Sequence, residues 1–183
     1  MPAAWRPVTH ELAHVGHDGD VRLADADGKR VLRRVRDAGE EVRGLAWSDD
    51  GKLLLVVGQS SVRVVRADGR LVGSVPTNGP TLAAAFQPRT HRFALVVGPM
   101  ILLVDGGGLK FPPRATFTGT TQLSDVTWSP EGKWLAVAWP RAGQLVFVGV
   151  AATPKLYVVS NVARQFDPAA KLPRFPNVAR WSR

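Results

Sequence analysis

Leu45-Ala46-Trp47-Ser48-Asp49-Asp50-Gly51-Lys52 is the stretch that decides the fold, because the chain repeats it. Near copies are Val126-Thr127-Trp128-Ser129-Pro130-Glu131-Gly132-Lys133 and Ala84-Ala85-Phe86-Gln87-Pro88. Ala3-Ala4-Trp5-Arg6-Pro7 and Val178-Ala179-Arg180-Trp181-Ser182 are fainter ones. The aromatic anchors at 5, 47, 86, 128 and 181 are separated by 42, 39, 42 and 53 residues. A period near 40 residues, with several short strands per unit, indicates stacked β-sheet modules.

The second unit is the clearest. Val42 to Ser48 alternates and runs into Ser48-Asp49-Asp50-Gly51, a tight turn ending on a glycine. Lys52 to Val57 is then almost wholly apolar, as a strand covered on both faces must be. Gly58-Gln59-Ser60 turns the chain into a third strand, Ser61 to Arg66, and Asp68-Gly69 is a hairpin signal leading to a fourth, Leu71 to Val75. Four antiparallel strands in about 40 residues make one propeller blade. The same order gives units at roughly 1–37, 38–78, 79–119 and 120–165. Residues 166–183 read as a proline-rich, basic linker and the first strand of a further blade, around Trp181. The fold class expected is therefore all-β, about four blades plus the start of a fifth, with little helix. Three closures stay open: part of a larger propeller, a half-ring closed by forming a homo-oligomer, or a four-bladed monomer.

Ala46-Trp47-Ser48-Asp49-Asp50-Gly51-Lys52 and Val126 to Lys133 resemble the "AWSPDGK" signature of TolB-type, WD40-like β-propeller repeats. Val21 to Lys29 and Val64 to Arg70 are similar to that family's following "YVMDADGG" strand and turn. The likeness covers roughly residues 1–165, and lacks the Trp-Asp dipeptide of true WD40 repeats. It implies a non-catalytic scaffold for protein–protein or other macromolecular interaction, part of a larger bacterial propeller protein with a cell-envelope setting. It also keeps open an accessory propeller of a prolyl-oligopeptidase-like serine hydrolase.

Composition narrows the chemistry. The 183 residues include no cysteine, which excludes disulfides, thiolate metal sites and cysteine nucleophiles. No apolar run approaches the roughly 18 residues that span a bilayer, and Met1 to Arg6 carries no secretory signal pattern, so a cytoplasmic chain without membrane insertion is expected. The net charge of +9 raises a basic binder of nucleic acid or an anionic polymer as an alternative. Against it, the densest cluster, Lys29 to Arg36, alternates as a solvated strand would, and no nucleic-acid motif accompanies it.

Several residues invite a catalytic or metal reading. His10-Glu11-Leu12-Ala13-His14 fits the H-E-x-x-H zinc pattern, which needs a helix to bring both histidines to one face. Aligned with the second unit it falls on the second strand, where residues four apart are roughly 13 Å apart. Asp49, Asp50, Asp125 and Glu131 sit at or beside turns without calcium-loop spacing. Gly106-Gly107-Gly108 lacks the spacing of a phosphate loop, and Gly58-Gln59-Ser60-Ser61-Val62 lacks the last glycine of a hydrolase elbow. Trp5, Trp47, Phe86, Trp128 and Trp181 are read as packing between neighbouring blades, and Trp134 and Trp139 as less bound to the repeat. No catalytic residue, metal site or cofactor is expected. The expected partner is a protein.

Overall fold

Sixteen strands in four sheets account for nearly all the regular structure of the computed structural model, which describes residues 2–35, 41–106, 114–151, 155–171 and 174–176. Blade 1 is β1 (Ala3–Trp5), β2 (Leu12–Val15), β3 (Val21–Ala24) and β4 (Val31–Val35). Blade 2 is β5 (Gly44–Trp47), β6 (Leu53–Val57), β7 (Ser61–Arg66) and β8 (Leu71–Pro76). Blade 3 is β9 (Thr81–Phe86), β10 (Arg92–Val97), β11 (Met100–Asp105) and β12 (Arg114–Thr118). Blade 4 is β13 (Asp125–Trp128), β14 (Trp134–Trp139), β15 (Gln144–Gly149) and β16 (Leu156–Val159). Each sheet is antiparallel in simple chain order, so each strand pairs with the one that follows it in the chain. The first strands β1, β5, β9 and β13 lie side by side, and β4, β8, β12 and β16 are the outer edges.

The Ser-x-x-Gly turn is built by its own side chains. Ser48 is fully buried; its Oγ accepts from the Leu53 N–H at 3.0 Å and donates to Asp50 Oδ1 at 2.7 Å. Gly51 N–H returns to Ser48 O at 2.8 Å with φ of +64°, a region where a side chain is strained. Ser129 and Gly132 repeat the arrangement in blade 4: Ser129 Oγ accepts from the Trp134 N–H at 3.2 Å, and Gly132 N–H donates to Ser129 O at 2.8 Å. A buried hydroxyl paired in this way avoids the cost of an unsatisfied polar group.

The apolar core lies between blades. Leu54 and Val56 face blade 1 and pack with Ala13, Leu23 and Val35, while Leu53, Leu55 and Val57 face blade 3 and pack with Phe86, Phe93 and Leu95. All five residues of β6 are buried, as its unbroken apolar run requires. A third cluster joins Val96 and Ile101 of blade 3 to Val126, Trp128 and Leu135 of blade 4. At about 25 cal/mol per Å² of apolar surface removed from water, these joints are the main favourable term holding the row together.

Three expectations are corrected in detail. Trp5 is not packed between blades but is 58% exposed, because the repeat's aromatic anchor packs against the blade before it and none of the described residues supplies one for blade 1. The end of the fourth unit is a short helix, α1 (Val162–Phe166), entered through Asn161 at a positive φ, with the Val162 N–H donating to Gly143 O at 3.0 Å. Trp139 is tied in after all, its indole N–H donating to Thr121 Oγ1 at 2.7 Å and its ring meeting Phe117 edge-on. Trp181, Gly107 and Gly108 lie outside the described residues.

The structure also shows that the true repeat is two blades long. Val8 and Arg89, 81 residues apart, both adopt φ near +60°, each just after an anchor and a proline. Trp5/Phe86, His10/His91, Trp47/Trp128, Ser48/Ser129 and Gly51/Gly132 are separated by the same 81 residues.

Candidate functional site

The turns after β1, β5, β9 and β13 share one rim with the hairpins after β3 and β7, since strands alternate in direction. Side chains on this rim stitch the blades together. Arg6 Nε donates to Gly51 O at 2.7 Å and its guanidinium lies over the Trp47 ring at 5.5 Å, while the Trp47 indole N–H donates to Ala4 O at 3.2 Å. One double repeat later, Gln87 Nε2 donates to Gly132 O at 2.6 Å and the Trp128 indole N–H to Ala85 O at 2.9 Å. Between blades 2 and 3 the joint is made by acids instead. The Arg89 N–H donates to Asp49 Oδ2, and His91 Nε2 pairs with Asp50 Oδ2, both at 3.1 Å.

Asp50 is held well below the ordinary carboxylate range. Burial pushes its carboxyl up, but the hydrogen bond from Ser48, that from the Lys52 N–H, and the bond and charge of His91 outweigh burial. Ser48, Asp50 and His91 do not form a nucleophilic triad, because the carboxylate sits between hydroxyl and imidazole, leaving no base on the serine. The same rim decides the H-E-x-x-H segment. His14 is on β2, His10 is exposed in the preceding turn, and no helix unites them. Glu11 is paired with both Arg6 and Arg33; partial burial opposes ionisation, and the two arginines together bring its carboxyl below its usual value.

Two clefts open on this rim at equivalent places in the double repeat. One, of about 420 Å³, lies by Arg6, Lys52, Leu53, Arg66 and His91. The other, of about 580 Å³, lies by Arg92, Lys133, Trp134, Lys155 and Glu131. Lys133 stands where Lys52 does, and Trp134 replaces Leu53. Trp134 is half-buried and packs against Tyr157 with ring centroids 5.4 Å apart, so its indole forms an apolar wall between cations. Tyr157 and its β16 neighbours Leu156 and Val158 are each more than half exposed. Sequence reading named Glu131 and Trp134 singly but not the cleft they line, because its cations come from three separate strand ends. The one signal was the echo of Thr9-His10 in Thr90-His91, which marks the rim positions. Among the described residues no group of three acidic or histidine side chains is placed to hold a metal, and no helix is long and apolar enough to cross a membrane.

Comparison with known proteins agrees with this geometry. The family profile "Anaphase-promoting complex subunit 4 WD40 domain" matches residues 3–82, and that of "WD domain, G-beta repeat" matches residues 111–143. No curated protein matches the chain. Among solved structures, the β-propeller domain of Cps50 (Swd1) from Myceliophteria thermophila superposes with a TM-score of 0.78 at 21% identity, over 87% of this chain and 54% of that one. The RRP9 WD40 repeats and U3-55K each superpose with a TM-score of 0.73 at 13% identity, over 86% of this chain and 50% of theirs. The chain spans about half the length of these propellers and shares their β-propeller blade fold.

Proposed function

We propose that this chain, a row of four WD40-type propeller blades, is a non-catalytic scaffold that docks acidic segments of partner proteins on its basic rim. WD40 propellers are typically protein-interaction scaffolds. The observation that carries the reading is the cleft around Trp134, where an aromatic wall stands among Arg92, Lys133 and Lys155. Such a site matches a peptide presenting carboxylates beside an apolar or aromatic side chain. The strands beneath are fixed by inter-blade packing, which leaves the rim free to specialise. The TolB-type likeness, and the bacterial setting it implies, rest on the sequence signature alone. The function is therefore proposed at the broader WD40 level.

The test is fluorescence anisotropy with labelled acidic, neutral and basic peptides and a single-stranded oligonucleotide. The acidic peptides are expected to bind tightest, with affinity falling about tenfold or more in Lys133→Glu/Lys155→Glu, equivalent to at least about 1.4 kcal/mol. Tighter binding of the oligonucleotide, with a steep salt dependence, overturns the reading in favour of a nucleic-acid binder. Equal binding by the double variant removes the cleft from the site.

A further inference from the structure

We propose that the outer edge of β16 is a docking strand. An extended segment of a partner protein pairs with it antiparallel, as a fifth strand of blade 4, and sets acidic residues at its C-terminal end against Lys155 and Lys133.

Backbone geometry supplies the pairing. Gly149 N–H donates to Lys155 O at 2.8 Å, so these two residues form a hydrogen-bonded pair of the β15–β16 ladder. Antiparallel pairs alternate, and the register from Val148↔Leu156 to Leu145↔Val159 runs without a break. Tyr157 and Val159 therefore bond to β15, whereas the N–H and C=O groups of Leu156 and Val158 point away from it. Among the described residues, β15 is the only strand paired with β16. The side chains of Leu156 and Val158 lie in the rows of Val148 and Val146, on the side turned to blade 3, and are still 53% and 52% exposed. Their exposure comes from their place at the edge.

The other three outer strands are guarded. β4, β8 and β12 each carry an extra residue against the inner strand they pair with (Leu32, Val72 and Thr116), and such bulges twist an edge out of register. β4 adds Arg33 and Arg34, β8 adds Gly73 and Pro76, and β12 adds Arg114. β16 has no bulge, charge, glycine or proline, and of the four outer strands it alone has every residue exposed. An unguarded apolar edge is the template that strand addition uses.

Charge names the occupant. Lys155 directly precedes β16 and lines the cleft that it shares with Lys133 and Arg92. A strand antiparallel to β16 ends beside Leu156 and that cleft, so carboxylates that follow an apolar, β-branched run meet the lysines. A second copy meets repulsion instead, because each chain carries a net charge of +9. The acidic end rests on the rim cleft as an acceptor of acidic segments; the strand pairing does not.

Fluorescence anisotropy on the full chain tests it, with a labelled synthetic peptide of alternating valine and threonine that ends in three glutamates. Val158→Pro deletes an outward N–H that β15 does not use, a change an edge strand tolerates. It is expected to weaken binding about tenfold or more, with unchanged far-UV circular dichroism. If that variant does not fold, the same peptide N-methylated along its backbone takes its place, with the same loss expected on the wild-type chain. In hydrogen exchange, the Leu156 and Val158 amides are expected to be fast in the free chain and slow in the complex. Absence of binding, or equal binding by Val158→Pro or by the N-methylated peptide, overturns the proposal. So does protection of these amides before peptide is added. A wild-type dimer that Val158→Pro dissolves also overturns it, by giving the edge to a second copy. Glutamines in place of the glutamates, or glutamates moved to the N-terminus, are expected to weaken binding several-fold. Equal binding by those peptides, with the proline effect retained, overturns the acidic end alone, so the two readings fail separately.

Discussion

Asp50 carries two duties, ordering its own turn through Ser48 and the Lys52 N–H and latching blade 3 through His91. Its lowered carboxyl means that its contribution is present above the ordinary value of 3.8 and is lost as pH falls below that value toward the folded one. Because the side chain is 38% exposed, solvent screening keeps the effect modest. Asp50→Asn is expected to cost about 1 kcal/mol at pH 7 in urea unfolding, a difference that shrinks below about pH 4. A constant difference across that range would remove the ion pair from the account. Sequence alone reads Asp50 as a turn residue. It is silent on His91, because the partner stands 41 residues away on the next blade.

At the scale of the element, the hairpin between β5 and β6 is pinned by Gly51. Its φ of +64° strains any side chain, and a Cβ there would come within 2.9 Å of Pro7 O, a backbone atom of blade 1. Gly143, on the opposite rim, has a φ of +65° but nothing within 4 Å. Gly143→Ala is therefore expected to cost about 1 kcal/mol, from backbone strain alone. Gly51→Ala is expected to cost about 2–3 kcal/mol, since the neighbouring backbone must also shift. Equal losses in thermal unfolding would show that the joint between blades 1 and 2 is softer than drawn. The strands themselves were legible, because Lys52 to Val57 is apolar on both alternating faces and Ser-Asp-Asp-Gly is a turn by its chemistry. The helix α1 was not, since five residues held by a contact to Gly143 leave no periodic pattern.

For the whole molecule, stability runs along the row of blades, whose main contacts among the described residues are between neighbours. Blades 2 and 3 are covered on both faces, whereas β16 is exposed along its whole length. Hydrogen exchange is expected to be slowest in β6 and β10 and faster by orders of magnitude in β16. Uniform protection across all four sheets would show one cooperative unit rather than a graded array.

The amino-acid order by itself determined the four blades of the described residues: their four-strand order, their turns and their aromatic anchors. It did so because hairpins and strand periodicity are interactions between residues close in sequence. Only the tertiary structure decided that Trp5 stands exposed while Trp47 and Trp128 bond to the blade before them. It alone gathered Arg92, Lys133 and Lys155 around Trp134. Those outcomes depend on which side chains from distant repeats meet across a joint, and a repeat spells out the unit without spelling out its neighbour.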